Sequence, residues 1–140
     1  PLTLPVKDDR KQRTIHTLSM PVSQGDHPPV VLQPETKIRV RGKIASSHRI
    51  WFGMTLRREN GDFAGRFQTI LPAEEFKSGE PFDVVLDLTD YHLDPSLAQW
   101  AESLPKSPYG LIVKSVWCHT LWDPAGLQVS EIELMTSTDK

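Results

Sequence analysis

Four tryptophans, Trp51, Trp100, Trp117 and Trp122, are the residues of this 140-residue chain best suited to hold a ligand. An indole face can stack on the apolar face of a pyranose ring while nearby polar groups take its hydroxyls. Trp51 stands in the polar phase of an alternating segment whose other phase is Ile50, Phe52, Met54 and Leu56. Trp122 precedes the turn residues Asp123 and Pro124. These two are the stacking candidates, and a core position is an equal reading for each. Trp100 falls at helical spacing with Leu97, Ala101 and Leu104, and Trp117 shares a phase with Leu111 and Val113, so both read as core. Arg57, Arg66, Tyr91 and His92 are the polar groups expected to help bind a ligand.

Other chemistries find less support. Five histidines (His16, His27, His48, His92, His119) form no i, i+2 or i, i+4 pair, which argues against a transition-metal site. Cys118 adjoins His119, but strand alternation puts the two on opposite faces, so a Cys–His nucleophile fails. There is no G-x-S-x-G elbow and no glycine-rich phosphate loop, so no enzyme is expected. A basic row, Lys37, Arg39, Arg41 and Lys43, continues to Arg57 and Arg66 if the strands are neighbours. Such a stripe suits acidic glycans or an acidic partner. The blander reading is a solvated face neutralised by Asp83, Asp87, Glu131 and Glu133. A net charge of −2 and a pI near 6.2 do not suit a nucleic-acid binder. One cysteine rules out an internal disulfide, no run is long enough for a membrane span, and no signal peptide is visible. Pro1 in place of an initiator Met reads as a processed protein or a piece of a longer one.

The elements that must position these residues are strands. Phe82, Val84, Leu86 and Leu88 repeat every second residue, with Asp83 and Asp87 between them. Similar alternation is expected over 14–20, 30–32, 36–44, 49–58, 62–71, 109–120 and 127–135, the last with a bulge near Ser130. Asn60-Gly61 predicts a hairpin with a type I′ turn. Asp94 and Pro95 suit the N-cap and first position of one short helix over 95–104. The in-phase residues Phe52, Leu56, Phe67, Phe82, Val84, Leu86, Leu111, Val113 and Ile132 are the expected core. Residues 1–13 read as a linker or loosely attached lead-in, and 14–140 as one all-β, antiparallel two-sheet β-sandwich.

Three passages carry a resemblance: residues 36–44, residues 65–68 running on to 82–91, and residues 109–113 with 126–134. Their order is similar to the galactose-binding-like jelly roll, the fold of many carbohydrate-binding modules. The match spans roughly residues 30–135, with Phe82 where the family usually has Trp. The resemblance implies a non-catalytic module that binds a polysaccharide or other glycan. It would sit beside other domains of a parent chain, with an extracellular or periplasmic setting favoured. A protein-interaction or structural accessory domain without a sugar ligand is the alternative. No cofactor is expected, although relatives often hold a structural calcium, to which Glu133 or Asp26 could contribute here.

Overall fold

The computed structural model describes residues 2–4, 17–21, 29–120 and 125–135. Nine strands make two antiparallel sheets. They are β1 (Leu2–Leu4), β2 (Thr17–Pro21), β3 (Lys37–Lys43), β4 (Ile50–Arg57), β5 (Phe63–Leu71), β6 (Pro81–Asp87), β7 (His92–Leu93), β8 (Ile112–His119) and β9 (Gln128–Met135). The four-stranded sheet runs β1-β9-β3-β6 and the five-stranded sheet β2-β8-β4-β5-β7. Burial alternates along the central strands. In β3, Ile38 and Val40 are buried between half-buried or exposed Lys37, Arg39 and Arg41. In β4, Ile50, Phe52, Met54 and Leu56 are buried while Trp51, Thr55 and Arg57 are not. One apolar cluster joins the two sheets, with Ile38, Val40, Leu86, Ile132 and Leu134 from one and Phe52, Met54, Phe67, Val116 and Cys118 from the other. The result is a sandwich-like architecture in which each sheet keeps one face for the core.

Several expectations shift in detail. Leu2–Leu4 lie within the expected lead-in, yet they pair with β9 as an edge strand. The Leu-Thr-Leu alternation was hidden there by the charges that follow it. The rest of residues 1–13 lies outside the described residues. Residues 30–32 contribute an isolated bridge, Val31 to Ile112, instead of a strand. The expected helix forms at Pro95–Ser103 but is 3₁₀, capped by the Asp94 carboxylate accepting from the Ser96 N–H. The bulge near Ser130 is present: Arg41 pairs with Glu131 and Gly42 with Val129, so Ser130 is the residue without a place in the register.

The hairpin after β4 also forms, with different turn chemistry. The Gly61 N–H donates to the Arg58 carbonyl at 3.0 Å, so Glu59 and Asn60 are the central residues and Gly61 follows them with φ 93°. The Asn60 Oδ1 accepts from the Asp62 N–H, a local bond that favours this three-residue loop over the two-residue turn.

Phe52, Leu56, Phe67, Leu86, Val113 and Ile132 are buried as expected. Phe82, Val84 and Leu111 instead pack on the core from its margin and are only partly buried. Because β6 is an edge strand, its side chains lack a neighbour on one flank. Phe82 meets Phe76 edge-on at 5.0 Å, and Phe76 is itself fully buried. Phe67→Ala is expected to cost about 3–5 kcal/mol in denaturant melts and Phe82→Ala clearly less. Equal losses would contradict this division of core and margin.

Candidate functional site

The two outer faces of the sandwich differ in chemistry. On the four-stranded sheet the basic row is neutralised side by side. The Arg39 guanidinium donates twice to Asp83, at 2.8 and 2.6 Å. Arg41 reaches both Asp83 and Glu131, and Lys37 lies 3.3 Å from Asp87. Held by Arg39 first, then Arg41, the Asp83 carboxyl drops to about 2. This is a solvated face on which Lys37, Arg39 and Arg41 are paired, while Lys43 stands opposite Pro81 and Gln128 without an ion pair among the described residues. Arg57 and Arg66 do not continue the row, because β4 and β5 belong to the other sheet.

The outer face of the five-stranded sheet is aromatic. Its pattern depends on a bulge in β8: Leu56 pairs with Val113 and Thr55 with Ser115, so Lys114 is skipped. Past that residue the inward set becomes Val116 and Cys118, while Trp117 and His119 turn outward. Trp117 is therefore half-exposed on the surface and is not core. Opposite it stands Gly53, and the Trp117 benzo ring occupies the space a side chain at Gly53 would need. His119 pairs with Trp51 in the next row. Its ring stacks on Trp51 at 5.1 Å and 16° and on Trp117 at 5.3 Å and 15°. The Arg49 guanidinium adds a cation over Trp51 at 4.9 Å. His119 Nδ1 is shielded and has no hydrogen-bond partner among the described residues. Burial pushes this imidazole below its usual 6.5, against the opposing pull of Asp94, so it stands neutral at pH 7.

Two grooves include residues of β5. One, about 440 Å³, is lined by residues that include Gln68, Ile70, Asp90, His92 and Leu93. Ile70 pairs with Trp51 across β4 and β5, which joins this groove to the aromatic cluster. The other, about 350 Å³, lies between β5 and Pro95–Ser103. Trp100, expected in the core, is 51% exposed there. Leu97 is the one buried residue of this 3₁₀ segment, so the turn that carries Trp100 stays at the surface. Leu97, Trp100, Ser103 and Leu104 all line the groove, and Leu97 alone of the four is buried.

Of the residues singled out from sequence, Trp51, Arg66 and His92 come to this side of the molecule. Arg66 donates through Nε to Asp94 at 3.2 Å. His92 is exposed on the rim of the larger groove. Arg57 ends β4 with its guanidinium turned onto the Arg58 carbonyl. Tyr91 cannot reach a ligand: the 3₁₀ turn Leu88–Asp90 delivers it to the core, where it is 5% exposed and burial pushes its phenol up. Trp122 and Asp26 lie outside the described residues. Glu133 faces Arg41 Nη1 at 3.8 Å. No group of three or more His, Cys, Asp or Glu among the described residues is arranged to hold a metal ion.

The chain matches no protein-family model, no curated protein and no solved structure. Among the described residues, no helix is long and apolar enough to cross a membrane.

Sequence reading missed Trp117, His119, Trp100 and Phe63 as surface aromatics. A small residue, Gly53, in the middle of an otherwise large-residue strand was the available signal, because it marks a close approach by a neighbour. Gly53→Ala is expected to displace Trp117 and disturb the ring stack, read as a change in near-ultraviolet circular dichroism and tryptophan fluorescence. An unchanged spectrum would mean that the indole does not rest on Gly53. The His119 shift sets a pH dependence. A histidine with a lowered folded pKa loses nothing above its unfolded value, and it destabilises the fold as pH falls from 6.5 towards the folded pKa. His119→Phe keeps an aromatic ring without the charge, so the variant is expected to lose less stability than wild type between pH 7.5 and pH 5. Parallel losses in thermal melts would show that the imidazole is not desolvated.

Proposed function

We propose that this domain is a jelly-roll sandwich of the galactose-binding-like type acting as a non-catalytic carbohydrate-binding-type module of a larger, secreted or cell-surface protein. One observation carries the reading: Trp51, Trp117 and His119 gather on one outer face beside the groove of Gln68, Asp90 and His92. A sugar offers apolar ring faces and a rim of hydroxyls, and this surface offers aromatic rings with polar groups at one margin. The paired charges of the opposite sheet leave it without such a combination. The rival reading, a docking face for another protein, draws on the exposed Ile70, Phe63 and Trp100 of the same side.

Binding is expected to be weak, on the order of 10⁻⁵ to 10⁻³ M, because hydroxyls exchange water bonds for protein bonds with little net gain. A glycan array followed by calorimetry on the wild type tests the proposal. Trp51→Ala is expected to lower affinity for the glycan found by more than twofold while the domain stays folded. No binding of any glycan at millimolar concentration would replace this reading with the protein-docking one.

A further inference from the structure

We propose a second ligand site, in the groove between β5 and Pro95–Ser103, that takes a neutral, polyhydroxylated ring such as an unsubstituted pyranose. The inference rests on the carbohydrate reading but concerns a different place. Trp51 and Arg57 are six positions apart on β4, and Arg57 pairs with Phe63 at the groove. At roughly 3.3 Å per residue that is a separation of about 20 Å. A ligand in the groove therefore stacks on its own aromatics.

Two aromatics line it, one of them, Phe63, with the Arg66 guanidinium over its ring at 6.0 Å. Phe63 is 45% and Trp100 51% exposed, and both line a space of about 350 Å³ floored by the buried Leu97. That volume is at the small end for ligand pockets. The polar end is Arg66, whose guanidinium is held in place from two directions. Its Nε donates to Asp94 Oδ2 at 3.2 Å, and its Nη2 donates to Ser96 Oγ at 3.3 Å. The remaining nitrogen, Nη1, has no partner among the described residues, and the side chain lines the groove.

This arrangement narrows the ligand class. Asp94 neutralises Arg66 and is held below the usual carboxylate range, by its bonds to Ser96 and then Arg66, against the opposing effect of burial. An anionic ligand would thus meet no net positive charge. A pure hydrocarbon would strand a guanidinium N–H without an acceptor, which is costly once water is excluded. A ring with one C–H face and several hydroxyls satisfies both ends, with its face on Trp100 and an oxygen accepting from Arg66 Nη1.

The test uses the whole chain and calorimetric titration with cellohexaose, xylohexaose, mannohexaose and an oligogalacturonide as the anionic comparator. For a neutral oligosaccharide that binds, Trp100→Ala and Arg66→Gln are each expected to weaken affinity about fivefold or more. Thermal melts of Trp100→Ala, which removes an exposed ring, check that the fold persists. If Trp51→Ala weakens binding while Trp100→Ala and Arg66→Gln leave it within twofold, the groove is not a site and the carbohydrate reading survives. Tighter binding of the oligogalacturonide than of every neutral probe overturns the ligand class. Absence of binding by all four at millimolar concentration overturns the groove proposal, whereas the carbohydrate reading falls only if the glycan array is empty as well.

Discussion

Lys114 is the residue without a place in the β4–β8 ladder, and the surface chemistry of the five-stranded sheet depends on it. Side chains alternate strictly along a strand, so a single unpaired residue exchanges the two faces for everything beyond it. Before Lys114, Val113 points to the core. After it, Val116 and Cys118 do, and the odd-numbered Trp117 and His119 turn outward. Had the ladder run without the bulge, two bulky rings would compete for the core with Phe52 and Met54, and the outer face would hold Val116 and Cys118. The bulge lets one strand supply a small, closely packed inner face and a large aromatic outer one.

That outer face needs a second accommodation, at Gly53. An indole on a strand can lie over its neighbour only if the neighbour has no side chain in the way, and Gly53 is the direct partner of Trp117. Each aromatic contact of this kind contributes about 0.5–1.5 kcal/mol beyond the area it covers. The stack therefore helps to pin β8 against β4. His119 Nδ1, shielded and without a hydrogen-bond partner among the described residues, works against this, since such a ring nitrogen costs about 1–3 kcal/mol. Arrangements that keep such a group usually do so where something else is gained, and a ligand-binding surface is one such place.

Much of the fold was legible because alternation is a local signal. The strand spans of β3 to β6, the hairpin at Gly61, the Asp94 cap and even the bulge at Ser130 follow from residues a few positions apart. The site was less so, for two reasons that are themselves physical. A bulge at Lys114 is invisible to a reading that carries one phase from Leu111 through to Trp117. The segment Pro95–Ser103 winds as 3₁₀ and buries Leu97 alone, so Trp100, expected on a core stripe, stands on an exposed wall. Tyr91 went the other way, because the 3₁₀ turn at Leu88–Asp90 reset its direction after β6. For Trp117 the element was placed correctly and the phase within it was not, whereas the 3₁₀ turn that carries Tyr91 inward was not foreseen.

The contrast between the two outer faces bears on what this domain can recognise. On the four-stranded sheet each cation of the central strand from Lys37 to Arg41 has a carboxylate within reach on an adjacent strand, and Arg39 and Asp83 form a two-bond pair. A ligand landing there would have to break pairs already made in water, at no gain. On the five-stranded sheet rings are gathered beside polar groups, and two of the charges there, Arg49 over Trp51 and Arg66 against Asp94, are engaged with a ring face or a counter-charge. Binding on that face would displace water from apolar carbon and use hydrogen bonds in place of net charge. A ligand recognised in this way is neutral, flat on one side and rich in oxygen at its edge, and its affinity depends little on salt.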